Sequence, residues 1–284
     1  MKVKDILEFL SDKFPLNTAL DFDNVGLLVG GEDFQISGVV VALDCEIDTV
    51  KFAIKNGCNL IITHHPVIFN GIKKVLAGDV VYELIKNGIS VISMHTNLDI
   101  AQNGVSEELC KVLDLKDISS VTASDGFILK SGIISHVAAD SFAERIKEKL
   151  GGNVKYVDGG KPIENILVCS GSGGEFIFDA INLGFDAFVT SEIKHHQFLA
   201  AVDNNVSVFD AGHFDTEDII VEPLKELLSK EFEDIDFSTR KQASKVYGNA
   251  KRYLMFSLYE LFKNEDKASL AVTHPGISFT NTYY

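Results

Sequence analysis

Asn59-Leu-Ile-Ile-Thr-His-His-Pro66 is the stretch on which the reading of this chain turns. Leu60 to Thr63 are apolar or β-branched, and so short a run reads as a buried parallel strand. Pro66 has no N–H to continue a ladder, which places His64 and His65 at or just past the strand's carboxyl end. In an open α/β sheet that is where ligands bind. Two more stretches begin where an apolar pattern stops: Met94-His-Thr-Asn-Leu-Asp99 and Asp210-Ala-Gly-His-Phe-Asp-Thr-Glu217. Strand ends carrying His, Asp and Glu suggest a metal site.

Successive strand side chains point to opposite faces, so neighbouring histidines reach one site only where the strand has ended. A lone buried histidine is more often a satisfied core residue, and the doublet is what lifts His64 and His65 above that. His213 and Glu217, four apart at the start of a helix, share a face. Such a pair suits zinc, manganese, iron or nickel but also occurs on solvated helix surfaces. Asp99 adds a second carboxylate. Three nitrogens and two carboxylates exceed one open tetrahedral site and suit two ions with a bridging carboxylate or hydroxide, an arrangement that activates water.

His95 shares a strand end with Asp99 and reads as a residue holding a ligand or a bound water. His195-His196 begins another helix, either in the pocket or on the helix surface. Gly171-Ser-Gly-Gly174 follows a strand and could offer N–H groups to an anion; a tight strand-to-helix turn explains it equally well. His136 and His274 have no evident partners.

The 284 residues can bury a large core, and 46% hydrophobic with 24% charged residues is ordinary globular composition. A net charge of −15 argues against general affinity for nucleic acid or anionic membranes. It leaves an anionic small substrate open, because bound cations can invert a local field. Cys45, Cys58, Cys110 and Cys169 form no CxxC pair and read as small hydrophobes in a reducing compartment. The first residues lack a signal-peptide pattern, and no apolar run reaches the about 20 residues of a membrane span. The expectation is a soluble cytoplasmic protein.

Helical spacing covers 3–13, followed by a turn-rich loop at 20–30. Strands are expected at 38–44, 59–63 and 89–94, alternating with helices at 47–57, 79–87 and about 104–113. The pattern restarts with a strand from 131, a helix at 140–150, a strand at 165–170 and a helix ending at Gly184. Strands at 187–190 and 206–210 follow, then a long helix over about 216–231 and a strand at 235–238. This predicts an α/β protein of two lobes, residues 1–125 and 126–240, with mostly parallel sheets flanked by helices. The stretch near 206–240 returns to the metal site, and a helix–strand tail occupies 241–284.

Six motifs then occur in order: Asp23-Asn-Val-Gly-Leu-Leu-Val-Gly, Thr63-His-His-Pro, His95-Thr-Asn-Leu-Asp, Cys169-Ser-Gly-Ser-Gly-Gly, Ser191-Glu-Ile-Lys-His-His and Gly212-His-Phe-Asp-Thr-Glu. Residues 1–240 thereby closely resemble the Nif-three-like dinuclear metal-centre proteins, also called GTP cyclohydrolase I type 2 homologues. The resemblance implies a two-lobed subunit, a toroidal homohexamer and two divalent metals per subunit. Their ligands carry over to His64, His65, Asp99, His213 and Glu217. Phe22 stands where the family commonly has Trp, and Glu192 where it commonly has Asp; neither is expected to touch a ligand.

Residues 241–284 depart from that pattern. Tyr247-Gly-Asn-Ala-Lys251 with His274-Pro-Gly276 resembles a fragment of a short-chain dehydrogenase. Without that family's glycine-rich nucleotide loop it reads as a remnant without that activity. The functional expectation is a dinuclear metal-dependent hydrolase with a nucleotide such as GTP as substrate, His95 or His196 shuttling the proton. The alternatives are a non-enzymatic metal-binding hexameric scaffold and a dinuclear phosphoesterase.

Overall fold

Helix α1 (Val3–Lys13) buries Val3, Ile6 and Leu10, a three- and four-residue spacing that makes one apolar stripe. After it come β1 (Gly26–Val29), β2 (Val39–Ala42), α2 (Ile47–Lys55), β3 (Leu60–Thr63), α3 (Val80–Lys86) and β4 (Ser90–Ser93). The computed structural model describes residues 1–243. With β11 (Phe237–Thr239) these strands form a sheet in the order β1-β4-β3-β2-β11. It is parallel except at its β1 edge.

The central strands bury both faces, and alternate residues part cleanly between them. Val39, Val41, Leu60, Ile62 and Ile92 meet α1 and the later helix α10 (Val221–Glu231) on one side. Val40, Ile61 and Val91 meet α2 and α3 on the other. Between the sheets run α4 (Thr96–Ile100) and α5 (Val105–Val112). Leu98 and Val105 join the first core, whereas Leu109 and Cys110 join a core of the second sheet. One helix therefore serves two cores.

The second sheet comprises β5 (Lys116–Thr122), β6 (Ile128–Val137), β7 (Lys155–Val157), β8 (Ile163–Ser172), β9 (Ala187–Ser191) and β10 (Ser207–Asp210). Its order is β5-β6-β8-β9-β10-β7, with the β8-β9-β10 core parallel and the other pairs antiparallel. Helices α5 and α6 (Ala139–Leu150) cover one face, and α7 (Ile177–Leu183) and α8 (His195–Asp203) the other. The two-lobed α/β architecture is the one the sequence predicts.

Details differ from expectation for physical reasons. Strand β5 is mostly solvated, and β7 is a three-residue edge, so neither carries an apolar pattern. The expected lobe division near 125 falls in the Ala123–Phe127 turn joining β5 to β6, and the chain enters the second sheet at Lys116. The long helix expected over 216–231 is instead α9 (His213–Glu217), a 3₁₀ turn at Asp218–Ile220, and α10. Pro223 lacks an N–H and its ring opposes the carbonyl four residues back, so α10 must begin near it. The tail expected over 241–284, with its dehydrogenase-like reading, lies outside the described residues past Ala243.

Ile62, fully buried between β2 and β4, fixes the strand that ends in the two histidines. Ile62→Ala should cost roughly 2–5 kcal/mol of stability, measured by urea unfolding; a loss well below that range would mean the sheet does not depend on this packing.

Candidate metal centre

Three carboxyl-terminal strand ends converge at the seam between the lobes. Strand β3 stops at Thr63, where the His65 N–H donates to the Leu43 carbonyl and Pro66 prevents further pairing. His64 is 1% exposed, and its Nδ1 lies 2.9 Å from the Met94 carbonyl oxygen just past β4. Helix α4 then carries Asp99, which is 9% exposed. The loop after β10 turns at Gly212, with φ of +86°, into α9. That short helix puts His213 Nε2 at 3.1 Å from Glu217 Oε2.

Glu217 is the hub. Its Oε2 is 2.9 Å from His65 Nε2, and its Oε1 lies 3.7 Å from His64 Nε2. The side chains form three groups that could hold a metal ion: His64 with Asp99 and Glu217, His65 with His213 and Glu217, and His64 with His65 and His95. All five ligands expected from the sequence are in this cluster, and Glu217 belongs to two of its groups. His95 is there as well, its ring 5.1 Å from His64 and 5.6 Å from His65. His196 is not: it is exposed on α8, whose buried face is taken by Gln197 and Ala201.

The donor set fits a metal on a structural criterion. His64 Nε2 is buried with no hydrogen-bond partner among the described residues, its contacts to Asp99 and Glu217 being too long at 3.6 and 3.7 Å. A buried polar atom left this way is costly. The opposite nitrogens are all engaged. His65 Nδ1 is 2.8 Å from Asp44, His213 Nδ1 is 2.7 Å from Glu192, and His95 Nδ1 is 2.8 Å from Asp23. An acceptor at Nδ1 fixes the tautomer that leaves Nε2 free to ligate.

These partners were missed by sequence reasoning. Asp44 stands just past β2 and could have been found by the strand-end rule that found His64. Asp23 was visible only as part of a motif. Glu192, taken not to touch a ligand, holds His213 directly, and Ser170 donates to Asp99 at 3.0 Å. The four cysteines are free, and burial pushes Cys45 and Cys110 up to about 12 and Cys169 well above its ordinary value. The centre is built from nitrogen and oxygen.

The glycine loop is packed rather than open to an anion. Gly171 N–H donates to Thr216 Oγ1, its carbonyl accepts from Thr190 and Ser191, and a Cβ there would collide with Glu217 Oε1. The tight-turn reading accounts for it.

Charge in the cluster is unbalanced. Burial drives Asp99 upward, aided by the charge of Glu217. Glu217 goes well below its usual value because hydrogen bonds to His213 and His65 and the nearby His64 ring overcome its burial. The rings respond in kind. His65 rises to about 10 as Asp44 and Glu217 outweigh desolvation, His213 rises to about 9 beside Glu217, and His64 is raised by Asp99 and Glu217 against complete burial.

Fold and site together define a two-lobed α/β protein whose seam carries an imidazole–carboxylate cluster able to hold metal. The Duf34/NIF3 (NGG1p interacting factor 3) family matches residues 1–249, and the chain belongs to that family. It is 34% identical over 230 residues to a Clostridium acetobutylicum protein named GTP cyclohydrolase 1 type 2 homolog, covering 76% of this chain and 85% of that one. Among solved structures it is similar to Staphylococcus aureus hypothetical protein SA1388, with a TM-score of 0.82 and 31% identity over 88% of this chain and 99% of that one. Reduced HcgD from Methanocaldococcus jannaschii gives 0.73 and 28%, covering 84% and 97%. Among the described residues no helix is long and apolar enough to cross a membrane.

Three outcomes are expected. Gly171→Ala, which puts a methyl where Glu217 sits and strains a backbone at φ +60°, should lower metal content by elemental analysis while leaving the circular dichroism spectrum of the folded protein in place. Protonated His65 and His213 stabilise the metal-free fold fully below about pH 6.5, and this contribution should fade as pH rises through about 9 to 10. Melting temperature against pH, measured with chelator, checks the sign; a rise over that interval would contradict it. Ligation needs the rings deprotonated, so metal uptake near pH 7 should release protons.

Proposed function

We propose that this chain is a dinuclear metal-dependent hydrolase acting on a nucleotide such as GTP. The observation that carries the reading is the sharing of Glu217 between two ligand groups, Oε1 toward His64 and Oε2 toward His65 and His213. One carboxylate offering its two oxygens to two donor groups suits a pair of cations. Zinc, manganese, iron and nickel all accept such donors. When bound, two divalent ions supply a water acidic enough to act as hydroxide near neutral pH.

The chain's own residues do the rest. His64 and Asp99 hold the buried side of the centre, while His65 and His213, more open, face the approach. His95 is the group placed to move a proton. Asp23 fixes its Nδ1, and the other Asp23 oxygen is tied by the Thr96 N–H at 3.0 Å and hydroxyl at 2.6 Å. Bonds from His95 and Thr96 overcome burial and keep Asp23 ionised. His95 is thereby oriented with its remaining nitrogen available to a bound substrate.

The nucleotide comes from the name carried by the Clostridium acetobutylicum relative. A ring-opening attack on the purine would release formate. The family resemblance further supports a homohexameric ring in the cytoplasm, checked for assembly by sedimentation of the full chain.

Metal-loaded protein should release formate from GTP, and His64→Ala and Glu217→Ala should each lose metal and turnover together. Phosphate in place of formate would make it a dinuclear phosphoesterase. Metal binding without any product would make it a scaffold, and two-metal stoichiometry retained in both variants would overturn the ligand assignment.

A further inference from the structure

Two large aromatic side chains stand in solvent beside the centre. Phe22 is 65% exposed and Phe69 44% exposed, on separate loops, with ring centroids 6.2 Å apart and planes inclined by 56°. Phe69 and His95 lie nearly perpendicular, centroids 6.1 Å apart and planes at 83°, and His95 in turn adjoins His64 and His65. Rings thus run without a break from solvent to the ligand cluster.

Exposure is built into the backbone on both sides. Around Phe22, the Leu20 N–H donates to Thr96 Oγ1 at 3.0 Å, Asp23 is bonded to His95 and Thr96, and Asn24 Nδ2 donates to the Ile68 carbonyl at 2.5 Å. That last bond ties the two loops to one another immediately before Phe69. The Asp23 bond that flanks Phe22 also orients the His95 ring, and the Asn24 bond holds the backbone beside Phe69. On the same loop, four and five residues beyond Phe69, Lys73 and Lys74 are exposed and have no ion pair or hydrogen bond with a described residue.

We propose that Phe22 and Phe69 form an aromatic rim on which the planar heteroaromatic ring of the substrate stacks, with Lys73 and Lys74 available to its anionic tail. The rim rests on the reading of the adjoining cluster as a small-molecule centre and adds the part that selects the ring. A tilted pair of held phenyl rings offers a π-face to any flat heterocycle, and such stacking tolerates different bases. A phosphate tail beside two lysines adds attraction that the acidic centre alone does not offer. Ring selection and water activation are then assigned to different residues.

The test uses the metal-loaded full chain and three probes: guanosine, GTP and inorganic triphosphate, with affinity measured by calorimetry. Phe22→Ala and Phe69→Ala should each weaken guanosine and GTP by roughly tenfold while leaving triphosphate affinity and metal content unchanged. Phe22→Trp and Phe69→Tyr, which keep a π-face, should retain guanosine. Lys73→Ala with Lys74→Ala should weaken triphosphate and GTP but not guanosine. Undiminished guanosine affinity in both alanine variants overturns the rim, as does a wild type that binds triphosphate but no nucleoside. A change in oligomeric state with unchanged nucleoside affinity overturns it too, by making the rings a protein contact. Stacking without formate release leaves the rim standing and removes the hydrolase; formate release with KM unchanged in the alanine variants does the reverse.

Discussion

A buried carboxylate held against three imidazoles organises this molecule. Glu217 is 3% exposed, and such a charge persists only where partners surround it. Its surroundings come from distant parts of the chain. His64 and His65 arrive just past the end of β3, His213 on its own short helix, and Gly171 gives way on the second sheet so that the carboxylate can approach. Removing any one partner leaves the charge buried and less compensated. The seam between the lobes is therefore fixed by an electrostatic demand as well as by apolar packing.

That demand explains the connectivity. Helix α5 contributes Val105 to the first core and Leu109 and Cys110 to the second. The chain, having built the second sheet, returns through α10 to cover the first and ends the described region with β11 beside β2. Each lobe is closed by an element belonging in sequence to the other. The break between α9 and α10, imposed by Pro223, frees the His213–Glu217 turn to point into the seam while α10 turns onto the first core. A continuous helix would couple those two directions.

Much of this was legible in the sequence because strand ends announce themselves. Leu60–Thr63 is an unbroken apolar run stopped by proline, and the motifs after β4 and β10 share that form, so the five side chains that the seam gathers could be read from residues and resemblance alike. What escaped has a common cause. Asp44, Glu192 and Asp23 act on the far nitrogens of the histidines, and nothing in a linear pattern says which carboxylate lies behind which ring. His196 looked like a site residue because a histidine doublet drew attention, but the buried positions of α8 decide its direction. Strands β5 and β7 escaped because edge strands carry no apolar alternation.

The charge count around the rings ties the site to the composition of the chain. Asp99 and Glu217 lie among the rings, and Asp23, Asp44 and Glu192 stand behind them, making five carboxylates about the four imidazoles of His64, His65, His95 and His213. With neutral rings the cluster is strongly anionic, and with protonated rings it is closer to balance, which is why the proton affinities of His64, His65 and His213 rise together. Divalent cations would resolve the same imbalance without needing protons and would give His64 Nε2 the partner it lacks. Protons and a bound metal would thus compete for one set of lone pairs. In a chain of net charge −15, a small anionic ligand approaching this seam would meet attraction only where a metal had won that competition, or where a lysine stands nearby.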